Sequence, residues 1–328
     1  MSLSWGQMVN PISVFVQVIL PLALVWMVGF LGRRLLHLDP KPFSRAGIYL
    51  LSPALIFTSL MGSQITAEEG FRIIVVVFLL GGALWLLSFI QTKLLRLSQK
   101  DSSAFMLASI FMNTVNYGFP VVLLALGQSG LEWAVVFAVG HTVLSYTVGV
   151  YIAARGRSGG AREAAHQVLR IPMLYAVLLA LILRAMGVSL DSGTLLGGLQ
   201  IQLLPSLYNG VKLLAQGALP IFVLVLGMQL AGMNDRDTGA PRSFWPTVLA
   251  GSTRLIVSPA LAWMLTRLVG LEALAARATI LEASMPSAVN MTMLATEFET
   301  RPQFVTRVVV GTTLFSMITV TLLLSMWI

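Results

Sequence analysis

Long apolar runs alternate with short polar interruptions along the whole chain. Runs near 11–32, 44–63, 71–95, 102–128 and 131–154 precede the most polar stretch, Arg155 to Gln167 (RGRSGGAREAAHQ). Runs near 169–187, 205–231, 243–268, 273–297 and 303–327 follow it. Each is about 20 residues or longer, the length at which an α-helix crosses the hydrocarbon core of a bilayer. Lipid offers the backbone no hydrogen bonds, so runs of this length are read as helices. The pattern predicts an all-α integral membrane protein with ten transmembrane helices. It divides into a first five-helix repeat at 1–154, a short cytoplasmic linker at 155–168 and a second repeat at 169–328.

Five spans is an odd number, so if the halves are structural repeats the second is inverted relative to the first. The prolines agree with that arrangement. Pro53 and Pro120, in the second and fourth spans, are 67 residues apart; Pro220 and Pro286, in the seventh and ninth, are 66 apart. Interrupted helices at matching positions of inverted halves are a sequence mark of secondary transporters.

Composition narrows the class. Of 328 residues, 57% are apolar and 10% charged, against ~25% charged in a soluble domain, and mean hydropathy is +0.86. An ordinary cytosolic enzyme, a fibrous chain and a disordered one are all excluded. The loops are too short for an extramembrane domain. No basic residue precedes the first apolar run, and Arg33 and Arg34 follow it, so that run reads as a retained helix rather than a cleaved signal. There is no cysteine, which removes thiolate metal sites, disulfides and thiol redox chemistry.

The net charge of +8 requires no nucleic-acid partner, because basic residues gather at the cytoplasmic ends of spans. Loops after spans 1, 3, 5, 7 and 9 carry 15 Lys and Arg; those after spans 2, 4, 6 and 8 carry only Arg72, Arg184, Arg267 and Arg277. The odd loops are therefore expected in the cytoplasm and both termini outside it. Trp5, Trp133, Trp245 and Trp327 fall at span ends, either as headgroup-layer anchors or as packing residues.

The fourth span contains Asn113-Thr114-Val115-Asn116-Tyr117-Gly118-Phe119-Pro120. Two amides, a hydroxyl, a glycine and a proline make a poor lipid-facing helix. Pro120 lacks an N–H and clashes one turn back, so a break is expected there. The half-helix beginning past Pro120 would turn its positive dipole end toward an anion. The bland alternative is a kink with Asn113 and Asn116 bonded to neighbouring helices.

The ninth span holds the counterpart, Glu282-Ala283-Ser284-Met285-Pro286-Ser287-Ala288-Val289-Asn290. Glu282 lies about ten residues inside either end of its span, hence ~15 Å from each interface. A carboxylate that deep costs ~2.5 kcal/mol or more in lipid, so it must be protonated, paired or bound to a cation. It is a candidate ion-coupling group, or a structural partner of Arg254 in the eighth span. Arg254 could itself counter an anionic substrate. Lys212 is near a span end and snorkels. His141 is either a proton relay or a hydrogen-bonded packing residue. A metal site is unsupported by His37, His141 and His166, which are far apart, and no phosphate or dinucleotide fingerprint is present.

At these proline motifs the sequence resembles the auxin efflux carrier family in its short-loop bacterial form. The residues that carry the resemblance are NTVNYGFP (113–120), MPSAVN (285–290), LRIP (169–172) and ALPIFVLVL (218–226) with Gly227. The resemblance implies ten helices in two inverted repeats, a scaffold part and a transport part, and crossing of spans 4 and 9 at their prolines beside the substrate. It also implies a homodimer through spans 2 and 7, a bacterial inner (plasma) membrane, and small carboxylates such as malonate or malate as substrates. A wider similarity links Glu282 to Met285 (EASM) with an acidic motif of bile-acid/sodium symporters, where the Glu position is a sodium ligand. Two departures stand out: the central loop is far shorter than in plant carriers, and proline follows Met285 where the symporters have a polar side chain.

The resulting reading is a secondary active transporter of a small organic anion, working by alternating access without covalent chemistry or a cofactor. Asn113, Asn116, Tyr117, Gly118 and Pro120 would face Pro286, Ser287, Asn290 and Arg254 around the substrate. Glu282, Met285, Thr114 and His141 would couple transport to sodium or protons, with sodium a candidate at Glu282, Met285 and Thr114. The alternative is a membrane sensor or scaffold that keeps the transporter fold without turnover. A membrane-embedded enzyme lacks its catalytic pair.

Overall fold

The computed structural model describes residues 10–154, 171–188, 190, 194–196, 199–201, 203–233 and 244–327. The expected linker at 155–168 lies outside them, as does Trp5. Helices form at α1 (Pro11–Leu35), α2 (Pro40–Gly62) and α3 (Ala67–Leu94), then α4 (Gln99–Ile110) and α5 (Thr114–Ala153). After α6 (Pro172–Ala185), a two-stranded antiparallel ribbon pairs β1 (Thr194–Leu196) with β2 (Leu199–Ile201), Thr194 opposite Ile201. The chain continues through α7 (Leu203–Met233), α8 (Phe244–Val269), α9 (Ala273–Ala283), α10 (Asn290–Glu297) and α11 (Pro302–Trp327).

Seven of these, α1, α2, α3, α5, α7, α8 and α11, are long and apolar enough to cross a membrane. Their outer faces fit that solvent: Val28, Leu36, Trp245, Phe315 and Met326 are all more than 60% exposed. An apolar surface of this extent is untenable in water. Trp133 does not join them. It is only 9% exposed, which corrects the headgroup reading for that ring in favour of packing.

Helix starts follow local chemistry. Asn10 Oδ1 accepts the Ile12 N–H at 2.9 Å just before Pro11, and Asp39 Oδ1 accepts from Lys41 at 3.1 Å just before Pro40. Thr66 and Glu69 form a reciprocal capping box at α3. Gly127, at φ +72°, divides α5 into 114–126 and 128–153. Only glycine takes that backbone geometry without strain.

Four prolines inside the spans share a local form. Pro21, Pro53, Pro120 and Pro259 each follow a five-residue π-turn: Phe15–Ile19, Gly47–Leu51, Thr114–Gly118 and Thr253–Val257. Proline supplies no N–H to the carbonyl one turn back and its ring crowds that carbonyl. Widening the turn by one residue relieves both problems. The residue before each proline then donates to the carbonyl five back: Leu20 to Phe15, Ser52 to Gly47, Phe119 to Thr114 and Ser258 to Thr253.

The helices pack in two groups. α1, α2, α6 and α7 lie chiefly against one another, and α3, α4, α5, α8, α9, α10 and α11 form the other set. In the first group α1 and α7 are in backbone contact: a Cβ on Gly29 would strike the Leu224 carbonyl, and one on Gly227 the Trp26 carbonyl. Such approach is how helices associate where lipid removes the hydrophobic drive. Arg184 of α6 donates to Leu60 O at 3.1 Å and Ile65 O at 3.0 Å, tying down the end of α2. Lys212 stacks its ammonium over Tyr208 at 4.3 Å. The groups meet where Trp26 of α1 lies 4.9 Å from Tyr117 of α5.

Candidate functional site

Two helices stop in the interior of the second group and resume a few residues later. The first break is Phe111–Asn113, between α4 and α5; the second covers 284–289, between α9 and α10. The two breaks pair as a short antiparallel bridge, Met112 opposite Ser287. The Asn113 N–H donates to Pro286 O at 2.9 Å, and the Ala288 N–H to Phe111 O at 3.0 Å. Segments 175 residues apart in the chain therefore satisfy each other's freed backbone.

Tertiary side chains complete the accounting. His141 Nε2 accepts the Met112 N–H at 3.2 Å, and Thr312 Oγ1 accepts the Ser287 N–H at 3.1 Å. Ser287 Oγ donates to Ala108 O at 2.5 Å. His141 stacks on Phe137, with ring centroids 6.3 Å apart. The structure thus places His141 and Ser287 as fasteners of the breaks, the packing role that was the alternative for His141.

The first break is not where the proline predicts it. α5 begins at Thr114, and Pro120 lies inside it, absorbed by the π-turn. The helix beginning that could face an anion is therefore at Thr114–Asn116, not past Pro120. Pro286, by contrast, sits within its break. Asn113 is at the N-cap of α5 but makes no capping bond with its side chain. It is 6% exposed, and its Nδ2 has no partner among the described residues. Asn116 is half-buried and Asn290, opening α10, is exposed. Thr114, Tyr117, Gly118, Pro120, Met285 and Pro286 are buried. Tyr117 Oη accepts a hydrogen bond from Ser316 at 2.8 Å.

The structure also corrects the pairing of the buried charges. Arg254 and Glu282 are both wholly buried, yet no ion pair joins them among the described residues. Arg254 turns to backbone instead. Nη1 donates to Ile110 O at 2.7 Å and Ser109 O at 3.4 Å, and Nη2 to Ala283 O at 2.7 Å. Ser258, one turn on, bonds to both Arg254 and Ala283 O. The guanidinium therefore caps the last carbonyls of α4 and α9 together. Glu282 faces the other way, against Gly118, where a Cβ would collide with both carboxylate oxygens. Neither oxygen has a hydrogen-bond partner among the described residues.

Sequence reading missed Ser258, Thr312, Ser316 and Trp26. The only signal was hydroxyls recurring in apolar spans, as in Thr312, Thr313 and Ser316, and lone hydroxyls bond their own helix equally well. It also missed a cleft of about 610 Å³ lined by Lys100, Thr296, Arg301 and Gln303 among others. That cleft lies at the start of α4, about 18 Å along the helix from the break.

Comparison with known proteins gives the class of molecule. An uncharacterized transporter of Methanothermobacter thermautotrophicus is 26% identical over 97% of both chains. Another, of Methanocaldococcus jannaschii, is 25% identical over 84% of this chain and 85% of its own. The family model described as membrane transport protein matches residues 14–168 and 161–324. The chain belongs to that family, the family of the auxin efflux carriers, and is an integral membrane transport protein rather than an enzyme.

Proposed function

We propose that the protein is a secondary active transporter of a small organic anion, a carboxylate, that works by alternating access and draws on a sodium or proton gradient through Glu282. The observation that carries this reading is the antiparallel pairing of the two breaks beside Asn113, Arg254 and Glu282. A fully packed structural helix pair has no use for a buried amide nitrogen and a buried carboxylate that lack partners among the described residues; a transport site does. α5 and α10 begin at the breaks, so two positive helix ends are available to a carboxylate. Asn113 and Asn116 are its donors on one side and Asn290 on the other.

Ten spans in two inverted repeats account for both broken helices at once, with α1, α2, α6 and α7 as scaffold and the remainder as the moving part. A homodimer would assemble through that scaffold, in a cytoplasmic membrane with both termini outside. The test is uptake of labelled mono-, di- and tricarboxylates into proteoliposomes. Asn116→Ala is expected to keep its fold and lose roughly ten- to hundredfold in affinity, since one hydrogen bond to a charged partner contributes about 1.5–3 kcal/mol. Unchanged affinity in a folded variant would remove Asn116 from the site.

A further inference from the structure

The last carbonyls of α4 and α9 converge on one point, and that point is occupied by protein. Each helix C-terminus carries about half a negative charge, so two together present about one. One guanidinium, Arg254, offsets it, with donors at 2.7 Å to Ile110 O and 2.7 Å to Ala283 O. The carbonyl oxygens at the ends of α4 and α9 are thereby taken by the guanidinium rather than left for a metal cation. The complementary ends, the first turns of α5 and α10, together present about one positive charge. Glu282 lies against Gly118 in the first turn of α5, so its charged form cancels that excess. With Arg254 and Glu282 both charged the crossing is neutral overall and holds no surplus for an anion. With a proton on Glu282, about one positive charge becomes free.

We propose that Arg254 is the resident cation of this crossing, and that the exchangeable cation is a proton that binds Glu282 together with one substrate carboxylate. The inference rests on the transporter reading above and selects between its two coupling ions. Proton and anion favour each other because each removes the obstacle to the other, and the coupling is reciprocal. The elements packed against α9 bring Tyr117, Glu132, His141, Tyr146 and Tyr151 from α5 and Arg254 and Arg267 from α8; Arg277 is on α9 itself. None bonds to Glu282. Tyr117 Oη is engaged by Ser316, His141 by the Met112 N–H, and Arg267 stacks on Trp263.

Three measurements on the purified protein test this. Sodium, against equal potassium, is expected to leave the melting temperature of the wild type unchanged, while Arg254→Gln gains a sodium-dependent rise and Arg254→Lys does not. A sodium-dependent rise in the wild type overturns the proposal. The infrared band of a protonated carboxyl is expected in the wild type and absent in Glu282→Gln; spectra that superimpose between about pH 5 and 8 overturn it. Malonate, as probe, is expected to bind the wild type about tenfold more weakly per pH unit above the Glu282 titration, and Glu282→Gln with no pH dependence. A flat wild-type profile overturns the coupling. Failure of malonate to bind at any pH counts against the carboxylate reading instead, and the sodium and infrared results then decide the present one.

Discussion

At the scale of single residues, the tightest constraint is the meeting of Gly118 and Glu282. The nearest atoms to a Cβ on Gly118 are all from the Glu282 carboxylate, so the glycine is a space requirement rather than a conformational one. Gly118→Ala is expected to destabilise by about 1–3 kcal/mol through overpacking. Glu282→Ala in the same chain should recover most of that loss, a coupling that a double-mutant cycle of melting temperatures would read. Equal losses in the two backgrounds would show that the clash is relieved elsewhere. The depth of Glu282 was legible from span position alone. Its neighbour was not, because contacts between positions 118 and 282 leave no trace in local periodicity. Arg254 taught the converse: opposite charges at similar depth suggest a pair, yet five guanidinium donors suit converging carbonyls as well as they suit a carboxylate.

At the scale of elements, hydrophobic runs located the outer ends of the apolar helices to within a few residues, because membrane helices carry their boundary conditions in their own sequence. The breaks were harder. Pro286 marks its break, whereas Pro120 lies beyond its own, since a π-turn lets a helix continue through a proline when the preceding residue can reach five back. The stop at Ile110 is set by the partner segment and by His141, both distant in the chain. That dependence can be tested. His141→Phe keeps the ring stack on Phe137 and removes the acceptor of the buried Met112 N–H. Leaving that donor unsatisfied should cost about 1–3 kcal/mol, seen as a lower melting temperature and faster hydrogen exchange at Met112. An unperturbed Met112 amide would mean the bridge to Ser287 holds the break without His141. The β1–β2 ribbon had no foreshadowing, as its three-residue strands lie in the short gap between two apolar runs.

At the scale of the whole molecule, two helix groups each pack chiefly within themselves and meet where α1 and α7 touch α5 and α11 and α2 touches α5, the interface across which the proposed rocking would act. The backbone contact through Gly29 and Gly227 packs α1 tightly on α7 in one group, and the paired breaks lie within the other. Orientation then decides which face each opening serves. The cleft at Lys100 and Arg301 belongs to the loops after spans 3 and 9, which are among the 15-residue basic set, so it should open to the cytoplasm. Glu68, at the start of α3 after the second span, is 73% exposed at its side chain and should lie on the opposite face. The chain contains no cysteine, so single-cysteine variants report one position each. Gln303→Cys is expected to react with a membrane-impermeant maleimide only in inside-out vesicles, and Glu68→Cys only in right-side-out vesicles. Reversal of both results would invert the topology while preserving the alternation. Reaction of both from the same face would break the alternation itself, and the inverted repeat would fall with it, because five crossings per half are what turn the second half over.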